Sequence, residues 1–113
     1  MLRDPSGNAY YEAGSGAPLV LLHGVGLDAA MWPPVVERMT KRHRVIAPDL
    51  PGHGGSPAPP ADATLSFYAD RVAALLRHLG VERAGVAGFS MGAMVAQRLA
   101  LLHALTREAR AAR

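Results

Sequence analysis

The sequence predicts an α/β fold built on a mostly parallel sheet with helices on both faces. Two observations carry that prediction. Apolar runs alternate with helix-periodic stretches in the order strand, helix, strand, helix, strand, helix over residues 19–105. This alternation marks parallel strands joined by crossover helices. The run at residues 19–22 is also apolar without a break, as expected of a strand covered on both faces. At 113 residues the chain can bury one modest core and not two. We therefore expect one domain over 1–103 and a separate tail over 104–113.

The elements follow in order. NAYYEA, residues 8–13, is a short strand between the turn signals DPSG and GSG. The apolar run at 19–22 is the first core strand. Asp28 opens a turn, and Pro33-Pro34 suits a helix start, because the first turn needs no N–H donors. That helix should reach about Lys41 and bury Val35, Val36 and Met39. HRVIAPDL supplies the next strand, centred on 45–47, and PGHGGSPAPP must be a loop. Thr64 caps a helix over 65–79. Its residues Leu65, Tyr68, Ala69, Val72, Leu75, Leu76 and Leu79 share one face, and Gly80 stops it. Residues 83–88 form the third core strand. A last helix runs from about Met91 to Leu105, with Met94, Val95, Leu99, Leu101 and Leu102 as its apolar residues.

Composition narrows the class. The sequence has no cysteine, which removes disulfide scaffolds and thiolate metal sites and fits a reducing, cytoplasmic setting. The N-terminus carries charge and proline where a secretory signal would be apolar, and no run approaches the ~20 apolar residues of a membrane span. The net charge is +3. Two of those charges come from the tail, where Arg107, Arg110 and Arg113 face only Glu108. Basic character confined to a tail, without interleaved aromatics, argues against nucleic-acid binding. We expect no nucleic-acid partner, no membrane association, no cofactor and no metal.

In open α/β sheets, sites form beyond the carboxyl ends of the strands. Three stretches place unusual residues there: His23-Gly24-Val25-Gly26, Asp49 to Ser56, and Gly88 to Gly92. The last reads G-F-S-M-G. A serine on a sharp strand-to-helix turn holds its hydroxyl clear of the sheet, and positions two before and two after must be small. The helix N-terminus then faces developing negative charge. Ser90 is thus a candidate nucleophile, with the N–H groups of Met91 and Val25 as candidate oxyanion donors. The alternative reading is an ordinary strand–helix turn.

Three motifs in order resemble the α/β-hydrolase family over residues 8–103. LLHGVGLDAAMW is similar to its oxyanion loop. APDLPGHGGS is similar to its D-x-x-G-x-G-x-S loop, with Asp49, Gly52, Gly54 and Ser56 in register. GFSMGAMVAQ is similar to its nucleophile elbow. The last and first look most like enol-lactone hydrolases and related small esterases. The resemblance implies an incomplete α/β-hydrolase fold that ends after the elbow helix. It implies attack by Ser90 on a small-molecule ester or lactone, assisted by a histidine and an acid. It also implies supporting roles for Gly88, Gly92, His23, Gly24, Asp49, Gly52 and Gly54. A serine at the elbow argues against the dehalogenase and epoxide-hydrolase branches, which carry aspartate there.

In that family the acid and histidine follow later strands, which lie beyond this chain. His103, thirteen residues along the helix, would lie roughly 20 Å from Ser90. His43 and His78 precede strands, at the far end of the sheet. His53 and His23 lie on the correct edge and are the local alternatives for the base. A histidine placed like His53 is commonly structural or substrate-facing, and the resemblance implies that His23 supports its loop. Asp49 suits bonding to loop backbone. We therefore expect a truncated or frame-shifted hydrolase, weakly active by itself, with self-association through an uncovered sheet edge. The alternatives are a non-catalytic remnant or binding module, and a tail that binds acidic partners.

Overall fold

The computed structural model describes residues 1–104, with side chains as far as Leu101. Five strands form one sheet in the order β1-β2-β4-β3-β5. They are β1 (Leu2–Arg3), β2 (Ala9–Ala13), β3 (Ala17–Leu22), β4 (His43–Pro48) and β5 (Gly85–Gly88). The helices are α1 (Pro33–Met39), α2 (Leu65–His78) and α3 (Met91–Ala104), and a 3₁₀ turn at Ala29–Met31 precedes α1. β3 runs parallel to both β4 and β5, while β2 pairs antiparallel with β4 and β1. The expected mostly parallel sheet with helices on both faces is therefore present.

The unbroken apolar runs in β3 and β4 reflect burial on two sides. Val20, Leu22 and Ile46 pack with Val72, Leu75, Val95 and Leu99 beneath α2 and α3. Their neighbours Leu21, Val45 and Ala47 point the other way and pack with Ala29 and Val36 beneath α1. Side chains alternate faces along a strand, so a doubly covered strand needs apolar residues at every position.

Helix α2 begins and ends as its sequence demands. The Thr64 hydroxyl accepts the Phe67 N–H at 3.3 Å. Gly80 adopts φ +71, its N–H donates to Arg77 O, and Val81 N–H donates to Leu76 O. These two bonds form a Schellman motif, with Val81 and Leu76 in the same apolar cluster.

Three expectations need correction. Strand β5 covers Gly85–Gly88 rather than 83–88. Helix α1 stops at Met39 rather than Lys41, and Val35 is 39% exposed. Trp32, Val36 and Met39 form the inward stripe at helical spacing, which leaves Val35 beside it rather than on it. In α3, Val95 and Leu99 are buried one turn apart, whereas Met94 and Leu101 are exposed. Leu102's side chain and residues 105–113 lie outside the described residues, and with them the expected basic tail. Strand β1 went unforeseen, because two exposed residues offer no alternation to read.

Candidate functional site

The site is built where β3, β4 and β5 end. β5 delivers the chain to Phe89, whose N–H donates to Leu22 O at 2.9 Å. Ser90 then takes φ +56 and is the one non-glycine residue with positive φ among the described residues. Such backbone costs about 1–3 kcal/mol and persists only where the surroundings fix it. Here the next turn does so. Gly92 N–H donates to Phe89 O, and Ala93 and Met94 N–H both donate to Ser90 O.

The flanking glycines are required by space. A Cβ on Gly88 would lie 2.3 Å from the Gly92 carbonyl carbon. One on Gly92 would lie 2.1 Å from Leu22 O. A side chain at Gly88 would drive α3 away from β5, one at Gly92 would drive it away from β3, and either would open the turn that holds Ser90. Ser90 itself is exposed, directly before Met91, the first residue of α3.

Against this elbow lies the loop after β3. Leu27 N–H donates to Gly24 O at 3.1 Å, and Gly26 has φ +78, which closes a tight turn over 24–27. Gly24 is buried beneath the elbow: a Cβ there would sit 3.3 Å from Ser90 Cβ and 3.1 Å from the Phe89 ring. Val25, at the crest of the turn, is 69% exposed. Among the described residues, the hydrogen bonds closing loop and elbow use the N–H groups of Leu27, Phe89, Gly92, Ala93 and Met94. None uses that of Val25 or Met91.

The loop after β4 braces the turn from behind. Asp49, 5% exposed, accepts Ala29 N–H through Oδ1 at 2.8 Å and Gly55 N–H through Oδ2 at 2.9 Å. Gly54 lies so close that a Cβ would meet Oδ2 at 2.3 Å. Gly52, with φ +79, donates its N–H to Pro57 O. The Ser56 hydroxyl donates to Asp49 O and accepts Ala9 N–H, which ties the loop to β2.

His23 links the two loops. It is fully buried. Leu50 N–H donates to Nε2 at 2.8 Å, so that nitrogen must be the lone-pair nitrogen. Nδ1 therefore carries the proton and donates to Gly24 O at 2.8 Å. Burial pushes the His23 pKa down and the nearby His53 ring adds to this, against the opposing influence of Gly24, Asp49 and Asp28. Both nitrogens are engaged, so His23 has no lone pair to offer Ser90. His53 stands beside it, ring centroids 4.9 Å apart, with Nδ1 3.1 Å from Pro51 O.

The structure thus gathers Ser90, Met91, Gly88, Gly92, Gly24 and the turn carrying Val25 at one edge. It holds Asp49, Gly52 and Gly54 in the adjoining loop. Sequence reasoning missed Ala29, Leu50 and Gly55, which serve through backbone groups that their side chains do not advertise. A groove of about 910 Å³, lined by Tyr11, Ala29, Val36 and Thr40 among others, opens on the α1 side and does not include Ser90. Among the described residues no cluster of three or more His, Cys, Asp or Glu could hold a metal ion. No described helix is long and apolar enough to cross a membrane.

Comparison with known proteins agrees with this architecture. Residues 17–111 match the family model of the alpha/beta hydrolase fold. A (E)-2-((N-methylformamido)methylene)succinate hydrolase of Acinetobacter baylyi is 37% identical, over 92% of this chain and 44% of its own length. Among solved structures, a thermophilic esterase from Thermogutta terrifontis has a TM-score of 0.82 at 39% identity. That match covers 85% of this chain and 36% of the esterase. The enol-lactonase from Burkholderia xenovorans has a TM-score of 0.82 at 34% identity, covering 86% of this chain and 39% of its own. The chain spans less than half the length of each.

Proposed function

Because the chain belongs to the alpha/beta-hydrolase fold family, we propose that it is the N-terminal part of a serine hydrolase acting on a carboxylic ester or lactone. Ser90 is the nucleophile. Its Oγ attacks the carbonyl carbon, and the N–H groups of Val25 and Met91 receive the developing oxyanion. One such donor is commonly worth about 3 kcal/mol in the transition state. The acyl group passes to Ser90, the alcohol leaves, and water then releases the acid. Small-molecule esters or lactones are the substrates, and the chemistry needs no cofactor. The cysteine-free sequence is compatible with a cytoplasmic setting.

The observation that carries this reading is the positive φ of Ser90, held between two glycines that tolerate no side chain. The hydrolases among its relatives support the ester or lactone class. The Ser90 proton must pass to a base, and the full engagement of His23 removes that residue from the role. We propose slow turnover by this chain alone, which spans less than half the length of the hydrolases it resembles. We also propose that the open edge of β5 pairs with a second copy.

The engagement of His23 favours one other reading, a non-catalytic binding module that keeps the first half of the fold. The two differ in turnover of p-nitrophenyl butyrate and a simple γ-lactone by the 113-residue chain. The hydrolase reading expects slow release that vanishes in Ser90→Ala. Equal rates in the two chains would favour the binding module.

A further inference from the structure

We propose that His23 is an acid-sensitive latch, positioning the 24–27 turn against the 49–56 loop only while its imidazole is neutral. The proposal requires one tautomer and two bonds, and it stands whether or not Ser90 reacts. In the neutral ring, Nδ1–H donates to Gly24 O and the Nε2 lone pair accepts Leu50 N–H, both at 2.8 Å. One end of the ring thus holds the turn that carries Val25, and the other holds the residue after Asp49.

A proton added to the ring can go only to Nε2. The imidazolium then presents an N–H to the Leu50 N–H, donor against donor, in a site that admits no solvent around the ring. The bond to Leu50 must break, while the bond to Gly24 survives with a charged donor. Protonation therefore separates the turn from the loop rather than loosening both. Asp49, bonded to Ala29 and Gly55, keeps a second tie between the segments, so the release is local.

The charged and titratable groups facing His23 are His53 at 4.9 Å and the carboxylates of Asp49 and Asp28. The carboxylates favour the imidazolium. Burial and the neighbouring imidazole oppose it and prevail. A histidine so placed has one task that an aliphatic residue cannot perform: it accepts from one loop and donates to the other.

Nitrogen-resolved NMR of the full chain, labelled with 15N at histidine and backbone amides, tests the latch between pH 8 and pH 5. At pH 8, Nε2 of His23 should be the unprotonated nitrogen and Nδ1 the protonated one. On acidification His23 should titrate below about 6.5, the value of a free histidine. The amides of Leu50 and residues 24–27 should shift with the same midpoint, while those of β3 and β4 stay in place. His53→Gln, which removes the neighbouring ring, should raise that midpoint and keep the tautomer. A protonated Nε2 at pH 8 would overturn the proposal. So would a Leu50 amide unmoved through the His23 titration, or all amides changing together as in global unfolding.

Discussion

Gly92 lies against Leu22 so closely that a Cβ on the glycine would stand 2.1 Å from the leucine carbonyl oxygen. That contact seats the first turn of α3 on the end of β3, and the seat fixes Ser90. Gly92→Ala should therefore destabilise the fold. Overpacking commonly costs about 1–3 kcal/mol. Here the obstacle is backbone that cannot rotate aside, so we expect a loss of about 3 kcal/mol or more in urea unfolding. A loss within about 0.5 kcal/mol, typical of surface positions, would contradict the packing described.

Asp49 should matter for stability without being chemically reactive. Asp49→Ala leaves the N–H groups of Ala29 and Gly55 without their acceptor, and an unpaired buried donor costs about 1–3 kcal/mol. Because Gly55 is partly solvated, we expect about 2–3 kcal/mol in all. Asp49→Asn keeps one acceptor oxygen and should lose roughly half of that. Equal losses in the two variants would mean that the paired bonds are not what Asp49 contributes.

Stability should fall on the acid side in two steps. The folded-state pKa of His23 is depressed, chiefly by burial, so the unfolded chain binds the proton first. Its contribution is complete above about pH 6.5 and is lost as pH falls from there through the folded-state pKa. For Asp4, burial alone would raise the pKa. Bonds from Ser6 and Asn8, with the charge of Arg71, outweigh it and hold Asp4 below its ordinary value. That contribution is complete above about pH 4 and is lost below it. Urea midpoints measured from pH 8 to pH 3 should drop in both windows. A midpoint that is flat or rises between pH 7 and pH 5 would contradict the first step.

Much of this was legible in the sequence because the signals are local. The Thr64 cap, the Gly80 stop and the G-x-S-x-G turn each act within a few residues, so their side-chain types announce them. The braces are not local. His23 meets Leu50 across 27 positions and Asp49 meets Ala29 across 20. In both pairs the partner is a backbone N–H, which every residue but proline carries. The exposure of Met94 and Leu101 was also illegible, since apolar residues in α3 say nothing of which face a neighbour covers.

That exposure leads to a prediction about association. β5 forms one edge of the described sheet, and Val86, Phe89, Met94 and Leu101 are exposed along β5 and α3. An unpaired apolar edge invites pairing with another chain. Sedimentation velocity should show mass rising with concentration, and Val86→Lys should shift the distribution toward monomer. A single monomeric species at high concentration would contradict the prediction.

A fluorophosphonate probe distinguishes a nucleophile's position at Ser90 from that of an ordinary turn serine. The 113-residue chain is treated with the probe, digested and mapped by mass spectrometry. One adduct, slow to form, should appear on the peptide containing Ser90 and be absent from Ser90→Ala. An adduct on another serine, or no adduct after prolonged exposure of the folded chain, would contradict it.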